Sequence, residues 1–400
     1  MCYRSRRLLT FSLLVTLVLF ACNLPQAIRE STSTPTITLR PTAVFTPTLV
    51  PTATASPTAT ITPTPLPTFT PTLPPIAKAG TPLPEYLQPI TFENASQVNI
   101  LAEWQQGTVT DLDWSSDGAT LAVGGAAEVN FYDVHTRNKQ KTLQMDSGLV
   151  NIDLSPNGRF LATGSNAGSE QSGYTGTVSF WRLADDVKLF DFYLDRRGVS
   201  DLAFSPTGHT FAAAVTSNEY IDNNFIFWNT DTWEITRTMR TGGVLDMAFS
   251  PDGRFIASTP DRFAIRLWDI RYVQYIYELP TSFTGAVNCL VFSPDGRILA
   301  TGHYDGVIRL WDVAKGELLK EFSMEGVVES LAFSPDGALL ASGEGYQDFT
   351  IRLWDPASGQ SLRELTGHVH AVDNLAFSPD GRLLASASYD GTLRLWGVAP

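Results

Sequence analysis

Beyond residue 84, apolar and polar residues alternate in short runs, such as residues 375–377 and 383–385, that are bounded by turn residues. This pattern is typical of β-strands rather than helices. The recurrent turn signal is a four-residue stretch with Ser first, usually Pro second, and Gly fourth. Proline presets φ and glycine eases the exit of a type I turn. The stretch begins at seven positions: Ser115, Ser155, Ser205, Ser250, Ser293, Ser334 and Ser378.

The turns recur with a period of one structural repeat, because their starts lie 40, 50, 45, 43, 41 and 44 residues apart. An aromatic residue follows each turn at a matching place: Tyr132, Trp181, Trp228, Trp268, Trp311, Trp354 and Trp396. Together these motifs resemble the WD-repeat β-propeller family, whose repeat of about 40–45 residues forms one four-stranded blade. The resemblance covers residues 98–398 and implies an all-β, seven-bladed propeller.

The resemblance also implies how the ring of blades closes. The seventh repeat contains only three strands of its own, because the sequence continues for four residues after Trp396. Residues 98–104 match outer strands such as residues 318–322. We therefore expect an N-terminal strand to complete the last blade, which removes the exposed edge that an open ring would leave.

Members of the family carry a buried polar network, and only the seventh repeat shows all of it. The resemblance implies that His368, Ser386 or Ser388, Asp390 and Trp396 form this network and have a structural role. The fifth repeat has no histidine before its inner strand. We expect His303 and His370 to be surface residues and predict no metal site.

The N-terminal residues are typical of an export signal. Residues 1–21 combine Arg4, Arg6 and Arg7 with an apolar run of about 13 residues, which is too short for a bilayer-spanning helix. Residues 19–22 resemble a bacterial lipobox, which implies a lipid (palmitate-type) modification of Cys22 after cleavage of the signal peptide. The alternatives are an ordinary signal peptide or an uncleaved anchor.

The segment that follows has a different composition. Residues 31–84 contain 13 prolines and 17 threonines in 54 positions, with Arg40 and Lys78 as the only charges. Such a segment cannot bury an apolar core, so we expect residues 22–84 to form a disordered Pro/Thr-rich spacer and residues 85–400 to form the propeller. The alternative is a Pro-rich ligand for a partner domain, but no basic residue flanks a PxxP core.

The negative net charge of the chain indicates which classes of partner it can bind. The chain has a formal net charge of −13, and residues 91–400 alone carry 22 basic against 39 acidic residues, a net charge of −17. So acidic a domain repels nucleic-acid phosphates and anionic lipid head groups. Neutral or basic partners are therefore favoured, and a nucleic-acid ligand is not expected.

The sequence shows no catalytic motif: it contains no His-Glu-x-x-His, no Gly-x-Ser-x-Gly and no phosphate-binding Gly-rich loop before a helix. We predict no enzymatic activity and no cofactor. Two sets of residues are candidates for binding. The loops between the second and third strands of six successive repeats carry a set of aromatic residues, which is suited to partner recognition: Tyr174, Tyr220, Phe263, Tyr304, Tyr346 and Tyr389.

The second set occupies an equivalent inner-strand position in each repeat: Asp111, Asn151, Asp201, Asp246, Cys289, Ser330 and Asn374. Inner strands border the axis of a propeller, so we expect these residues to line a water-filled channel, with a cation bound by the carboxylates as the alternative.

These features predict a membrane-anchored, extracytoplasmic, non-enzymatic scaffold of a bacterial envelope that binds a protein or peptide. The predicted protein is a monomer attached to a membrane through Cys22. The alternatives are a propeller that binds a small molecule, sugar or metal at its axial mouth, and an uncharacterised hydrolase or lyase on the same scaffold.

Overall fold

The computed structural model describes residues 82–399 except 85, 170–172, 195–196, 218–223, 243, 261–263, 273 and 280–284. These residues form seven four-stranded antiparallel sheets arranged as the blades of a propeller. A short 3-10 helix, Ala95–Gln97, precedes the first strand. The predicted all-β, seven-bladed architecture is confirmed.

The strands of each blade are given from the axis outward. Blade 1 comprises β2 (Asp111–Trp114), β3 (Thr120–Gly124), β4 (Glu128–Asp133) and β5 (Lys139–Gln144). Blade 2 comprises β6 (Leu149–Leu154), β7 (Phe160–Ser169), β8 (Gly173–Arg182) and β9 (Val187–Leu194). Blade 3 comprises β10 (Arg197–Phe204), β11 (Thr210–Ser217), β12 (Asn224–Asn229) and β13 (Ile235–Arg240). Blades 4 and 5 comprise β14 (Met247–Phe249), β15 (Phe255–Ser258), β16 (Ile265–Asp269) and β17 (Gln274–Leu279); and β18 (Val287–Phe292), β19 (Ile298–His303), β20 (Val307–Asp312) and β21 (Glu317–Ser323). Blades 6 and 7 comprise β22 (Val328–Phe333), β23 (Leu340–Glu344), β24 (Ile351–Asp355) and β25 (Gln360–Leu365); and β26 (Val372–Phe377), β27 (Leu383–Ser388), β28 (Thr392–Gly397) and β1 (Asn99–Gln105).

Hydrogen bonds of the backbone and of the Ser and Asp side chains stabilise the Ser-Pro-Asp-Gly turns. In blade 5, the Gly296 N–H donates to the Ser293 carbonyl at 2.8 Å, and Gly296 has φ of +71°, which disfavours residues with a side chain. The Ser293 hydroxyl donates to the Asp295 carboxylate at 2.6 Å and accepts the Ile298 N–H at 3.0 Å. The side chains thus satisfy backbone groups that the tight turn leaves without strand partners.

Antiparallel connection places alternate loops at opposite ends of each blade. We call the lower face the one formed by these turns and by the loops between third and fourth strands. The upper face is formed by the loops between second and third strands and by the connections from one blade to the next. The predicted aromatic candidates belong to the upper face.

The marker tryptophans of blades 2 and 4–7 donate to a hydroxyl on the second strand of their own blade. The indole N–H of Trp311 donates to Thr301 at 2.9 Å, and that of Trp354 donates to Ser342 at 2.7 Å. Trp311 is completely buried. This hydrogen bond explains why the sequence combines a tryptophan on the third strand with a small hydroxyl residue on the second.

A salt bridge also recurs between the third strand and the outermost strand. The pairs are Arg266–Glu278, Arg309–Glu321, Arg352–Glu364 and Arg394–Glu103. The last pair is informative, because Glu103 belongs to β1 whereas Arg394 belongs to β28. Strand β1 therefore takes the same place in blade 7 that outermost strands take elsewhere.

Strand β1 lies antiparallel to β28 at the edge of blade 7, where the sequence analysis expects the closing strand. Its Leu101, Ala102 and Trp104 are buried in a core that also contains residues of blades 1 and 7. The Trp104 indole donates to the Arg137 carbonyl of blade 1 at 3.1 Å. The strand thus joins the first blade to the last.

The polar residues of the inner strands do not form the water-filled lining that we expected. Most are buried, and they hydrogen-bond to the inner strand of the next blade, as with Asp246, which accepts the Leu290 N–H at 2.8 Å. In blade 5 the bond comes from Asn288 and not from the predicted Cys289. One such bond spans each of the seven interfaces: Asp111–Ile152, Asn151–Ser200, Asp201–Met247, Asp246–Leu290, Asn288–Val328, Ser330–Val372 and Asn374–Thr110. Buried polar groups need hydrogen-bond partners, and these groups find theirs across the interfaces, although Asp111 and Asp201 also border a cavity near the axis.

Candidate functional site: an aromatic patch on the upper face

Three of the six aromatic candidates lie together on the upper face of consecutive blades. Tyr304, Tyr346 and Tyr389 follow the second strands of blades 5, 6 and 7, and their exposed fractions are 48%, 56% and 37%. Tyr220 and Phe263 lie outside the described residues, and the side chain of Tyr174 is not described either. A collar around the whole face therefore stays a prediction, whereas its part on blades 5–7 can be described.

The aromatic rings at this face form two groups, and the second contains two residues that the sequence analysis did not select. The rings of Tyr304 and Tyr346 lie 6.1 Å apart between centroids. Phe349 stacks on His370 at 5.5 Å, and His370 meets Tyr389 edge-on at 5.8 Å. We call these five residues the aromatic patch. Aromatic pairs at such separations hold one another in place and present rigid apolar surface.

Local backbone geometry sets the position of Phe349. This residue has φ of +55°, a conformation that a bulky side chain rarely adopts. Phe349 lies in the loop between β23 and β24 and is half-buried against the exposed His370. Strain of this kind in a surface loop is found more often at functional sites than elsewhere.

Charges around the patch are mostly negative. Glu325 and Asp348 are exposed on the connecting loops of blades 5 and 6. Arg309 and Arg352 below them are held in salt bridges, with Glu321 at 2.8 Å and with Glu364 at 3.5 Å. The surface near the patch therefore offers aromatic rings and free carboxylates, which favours basic or neutral ligands.

Beneath the patch, the structure brings together the four residues assigned to the polar network. His368 contacts Asp390 through Nδ1 at 2.9 Å and Ser386 through Nε2 at 2.8 Å, and the Trp396 indole donates to Ser386 at 2.8 Å. Ser388 instead donates to the His370 carbonyl at 2.9 Å. The alternative between the two serines is therefore resolved in favour of Ser386.

The protonation of this network follows from its burial. Burial lowers the pKa of His368 below its ordinary value, although the bond to Asp390 acts in the opposite direction. Burial alone would raise the pKa of Asp390, but hydrogen bonds from His368, Thr392 and the Val369 N–H lower it strongly. A neutral His368 that donates from Nδ1 to an ionised Asp390 satisfies every contact. The network thus anchors the loop that carries His370, and none of its groups faces the patch as a reactive base.

His303 is not the surface residue that we expected. It is completely buried, its Nε2 lies 2.9 Å from the Thr301 hydroxyl that also binds Trp311, and burial lowers its pKa to about 4. His303 therefore has the role in blade 5 that His368 has in blade 7, although it comes from the end of the second strand. The repeat pattern did not indicate this role, because the network histidine was expected in the loop before the inner strand and His303 lies at the end of the second strand.

Within the part of the chain that the structure describes, no group of three or more His, Cys, Asp or Glu side chains is arranged to hold a metal ion. A cavity of ≈300 Å³ lies near the axis on the lower side, where Asp153 and Asp201 meet Phe204, Phe249 and Phe292. Both carboxylates already accept backbone N–H groups of the neighbouring blade. Among the described residues, no helix is long and apolar enough to span a bilayer.

Comparisons with known proteins agree with this architecture. Four segments, residues 233–269, 274–312, 316–355 and 359–397, match the WD40 family (WD domain, G-beta repeat). Residues 90–239 match the family described as eukaryotic translation initiation factor eIF2A. The chain thus contains WD40 repeats in blades 4 to 7, where the Ser-Pro-Asp-Gly and Leu-Trp motifs are most regular.

Two curated proteins are similar to parts of the chain. "WD repeat-containing protein SL1-17" of Schistosoma mansoni is 31% identical over 166 residues, which is 41% of this chain and 51% of that protein. "Anaphase-promoting complex subunit cdc20" of Dictyostelium discoideum is 27% identical over 184 residues, which is 44% of this chain and 34% of that protein. The chain thus spans about half the length of one relative and a third of the other.

Proposed function

We propose that the protein is a non-enzymatic scaffold that binds a protein or peptide through the aromatic patch on blades 5–7, and that it does so as a monomer anchored in a bacterial envelope. WD40-repeat propellers typically serve as protein-interaction scaffolds, and the last three of the four matched segments contain the five residues of the patch. The single observation behind the proposal is the exposure of Tyr304, Tyr346 and Tyr389 on adjoining blades.

The chemistry of the patch supports recognition of a protein. Tyrosines supply large, rigid contact area at a small cost in side-chain entropy. Val369, with 74% of its surface exposed beside His370, extends the apolar part of this surface. Binding energy at protein interfaces concentrates in a few such aromatic residues. We therefore assign the central contacts of the complex to Tyr304 and Tyr389.

Replacement of both tyrosines by alanine tests this assignment. The Tyr304→Ala/Tyr389→Ala variant should lose partner binding by at least a hundredfold, because interface aromatics typically contribute about 2 kcal/mol or more each. The measurement is quantitative crosslinking in membrane extracts, with the partner identified by mass spectrometry. Tyr193→Ala is the matched control, because Tyr193 is 68% exposed on the outer strand β9 of blade 2. Equal crosslinking of all three proteins would contradict the proposal.

The envelope location rests on the N-terminal sequence, which lies outside the described residues. The basic residues, the short apolar run and the lipobox-like residues 19–22 support export and lipid attachment at Cys22. The nearly uncharged, Pro/Thr-rich spacer to residue 84 supports a tether that holds the propeller away from a membrane.

Lipid attachment at Cys22 can be tested directly. We expect the wild-type chain, expressed in a bacterial host with an alkyne-labelled fatty acid, to carry the label and to sediment with membranes. Cys22→Ala should abolish the label and release the propeller into the extracytoplasmic fraction or leave its signal uncleaved. Cys2→Ala is the matched control and should behave as wild type. Label retained in the Cys22→Ala variant would contradict lipid attachment at Cys22.

A further inference from the structure

On the side of the propeller, the interface between blades 2 and 3 and the interface between blades 4 and 5 have equivalent backbone turns. The residues at these two interfaces differ. Between blades 2 and 3, Trp233 extends from the loop that joins the third and fourth strands of blade 3. Its ring contacts three rings of blade 2, at centroid distances of 4.9 Å to Phe160, 4.6 Å to Phe180 and 5.7 Å to Phe190. The chain thus fills this place with an indole of its own.

Trp233 lies five residues after the marker Trp228, and Gly316 lies five residues after Trp311. Both adopt positive φ, +60° for Trp233 and +70° for Gly316, so the two loops have the same backbone turn. Blade 5 therefore presents a glycine toward blade 4 at the place where blade 3 presents an indole toward blade 2. The sequence alone does not show this relation, because it depends on which blade each loop contacts.

The rings that Trp233 covers also have counterparts in blade 4. Phe255 follows its turn as Phe160 does, Leu267 precedes its marker tryptophan as Phe180 does, and Tyr277 pairs with Leu267 as Phe190 pairs with Phe180. Without an indole above them, these residues line a groove of ≈610 Å³. Ile276, Val313 and Ala314 complete its apolar lining. The volume lies in the range of about 300–1,000 Å³ that is usual for ligand sites.

The floor of the groove is held in place. The Tyr277 hydroxyl donates to the Val313 carbonyl, so blade 4 is tied to blade 5 below the opening. The corresponding place between blades 5 and 6 also has a glycine, Gly359, but there the stem of Lys320 lies against it and the ammonium donates to Ser358 at 3.0 Å. Of the three interfaces compared, between blades 2 and 3, 4 and 5, and 5 and 6, the interface between blades 4 and 5 has a groove large enough for an indole.

A positive charge lies at the rim. Arg297 has 86% of its side chain exposed, and its contact to Asp295 is 3.8 Å long. Arg254, also on the rim, stacks on Phe255 at 4.7 Å and is paired with Asp269 at 3.0 Å. On a strongly acidic domain, Arg297 is thus a local point of attraction for a carboxylate next to an apolar groove.

We propose that this groove, which we call the lateral groove, receives the aromatic side chain of a partner peptide, preferably an indole, with an acidic residue beside it that meets Arg297. The occupant is inferred from Trp233. At the interface between blades 2 and 3, the same backbone turn and equivalent residues surround the indole of Trp233. The lateral groove lies on the side and lower face, and the aromatic patch lies on the upper face. The lateral groove is therefore a second binding surface, and its proposed role does not depend on the aromatic patch.

The probe for this proposal is the capped dipeptide N-acetyl-Trp-Glu-amide, with N-acetyl-Ser-Glu-amide as the matched control. In saturation-transfer NMR with the purified full chain, the tryptophan peptide should bind saturably, with a dissociation constant on the order of 1 mM. The serine peptide should show no saturation. Arg297→Glu should weaken binding about threefold, the size expected for an exposed ion pair.

Two variants fill the lateral groove from within. Gly316→Trp places the indole of Trp233 at the equivalent position, where the ring of Tyr277 must move because a Cβ would lie 3.1 Å from it. Ala314→Trp fills the groove from its exposed rim without a constraint on φ and decides the question if the first variant does not fold. Each folded variant should weaken binding of the peptide at least tenfold, whereas Tyr304→Ala/Tyr389→Ala should bind it as wild type does.

Three results would overturn the proposal. The first is the absence of saturable binding to the wild-type chain, and the second is unchanged binding to a folded Ala314→Trp variant. The third is a concentration-dependent dimer in sedimentation equilibrium that Ala314→Trp abolishes, without peptide binding, since a second copy of the chain would then cover the groove. Since the patch variant serves as a control, failure here leaves the test of the upper face intact.

Discussion

Deletion of residues 97–105 should abolish the single cooperative unfolding transition of the propeller. This deletion removes β1, and with it the buried Leu101, Ala102 and Trp104 that pack between blades 1 and 7. It also exposes the edge of β28 and leaves Arg394 without Glu103. Loss of a buried tryptophan alone costs about 3–5 kcal/mol, against a total stability of about 5–15 kcal/mol for a typical protein.

Urea unfolding followed by circular dichroism measures this effect. Trp104→Ala should lower the free energy of unfolding by about 3–5 kcal/mol, and the deletion should leave a protein that is largely unfolded or that unfolds over a broad range. Gln105→Ala is the matched control, because Gln105 belongs to the same strand and is exposed. A deletion variant with the wild-type midpoint and slope would show that β1 does not close the ring.

The second large effect concerns pH. Burial raises the pKa of Asp113 to about 6 and that of Asp201 to about 7, from an ordinary value of 3.8, although hydrogen bonds from backbone N–H groups act in the opposite direction. Burial, followed by the charge of the neighbouring carboxylate, raises the pKa of Asp153 and of Asp246 well above the same ordinary value. Asp113 of blade 1 lies near Asp153 of blade 2, and Asp201 of blade 3 lies near Asp246 of blade 4, so each carboxyl affects the pKa of its partner across an interface between blades.

The sign of the pH effect follows from proton linkage. A carboxyl whose pKa is higher in the folded state binds more protons when folded, so its contribution to stability is present at low pH and is lost as pH rises from about 4 through its folded pKa. Below pH 4 the opposite influence begins, because Asp390 has a lowered pKa and loses its contribution on protonation. We expect greatest stability between about pH 4 and 6 and a fall of roughly 10 °C in Tm from pH 5 to pH 8.

Asp153→Asn and Asp246→Asn, combined, test the origin of this fall. An amide keeps the shape of the protonated carboxyl and can still accept the N–H of the next blade, but it cannot ionise beside its partner. The double variant should show a smaller fall in Tm between pH 5 and pH 8 and should exceed wild type at pH 8, whereas the buried Asp111, Asp113 and Asp201 still contribute part of the fall. Glu234→Gln, at an exposed position, should leave the wild-type profile unchanged. A double variant that retains the full wild-type fall would contradict the assignment to these pairs.

Much of the fold could be predicted from sequence because each blade repeats the same local chemistry. The Ser-Pro-Asp-Gly turn satisfies its own backbone groups, as Ser293 and Asp295 show, and strand alternation around it leaves little freedom of register. The same regularity located Tyr304, Tyr346 and Tyr389 at equivalent loop positions. Those predictions depended on contacts within one repeat, which the sequence records directly.

Contacts between blades could not be predicted in the same way. His303 replaces the network histidine of blade 5 from another strand, and His370 joins the aromatic patch from a loop between blades. The inner-strand residue Asp246 was expected to face water, but it binds the backbone of the next blade. Each case depends on which residues of two repeats meet in space, and periodicity within one repeat carries no information on that.

The central claim is that the aromatic patch binds the partner, and the most direct measurement is the dissociation constant of the crosslinked partner once it is purified. Isothermal titration with wild type, Tyr304→Ala/Tyr389→Ala and Tyr193→Ala would provide it, with unfolding curves recorded for all three. We predict equal stability, wild-type affinity for Tyr193→Ala, and affinity reduced at least a hundredfold for the double variant, a loss of about 3 kcal/mol. Affinity of the folded double variant within twofold of wild type would contradict the account.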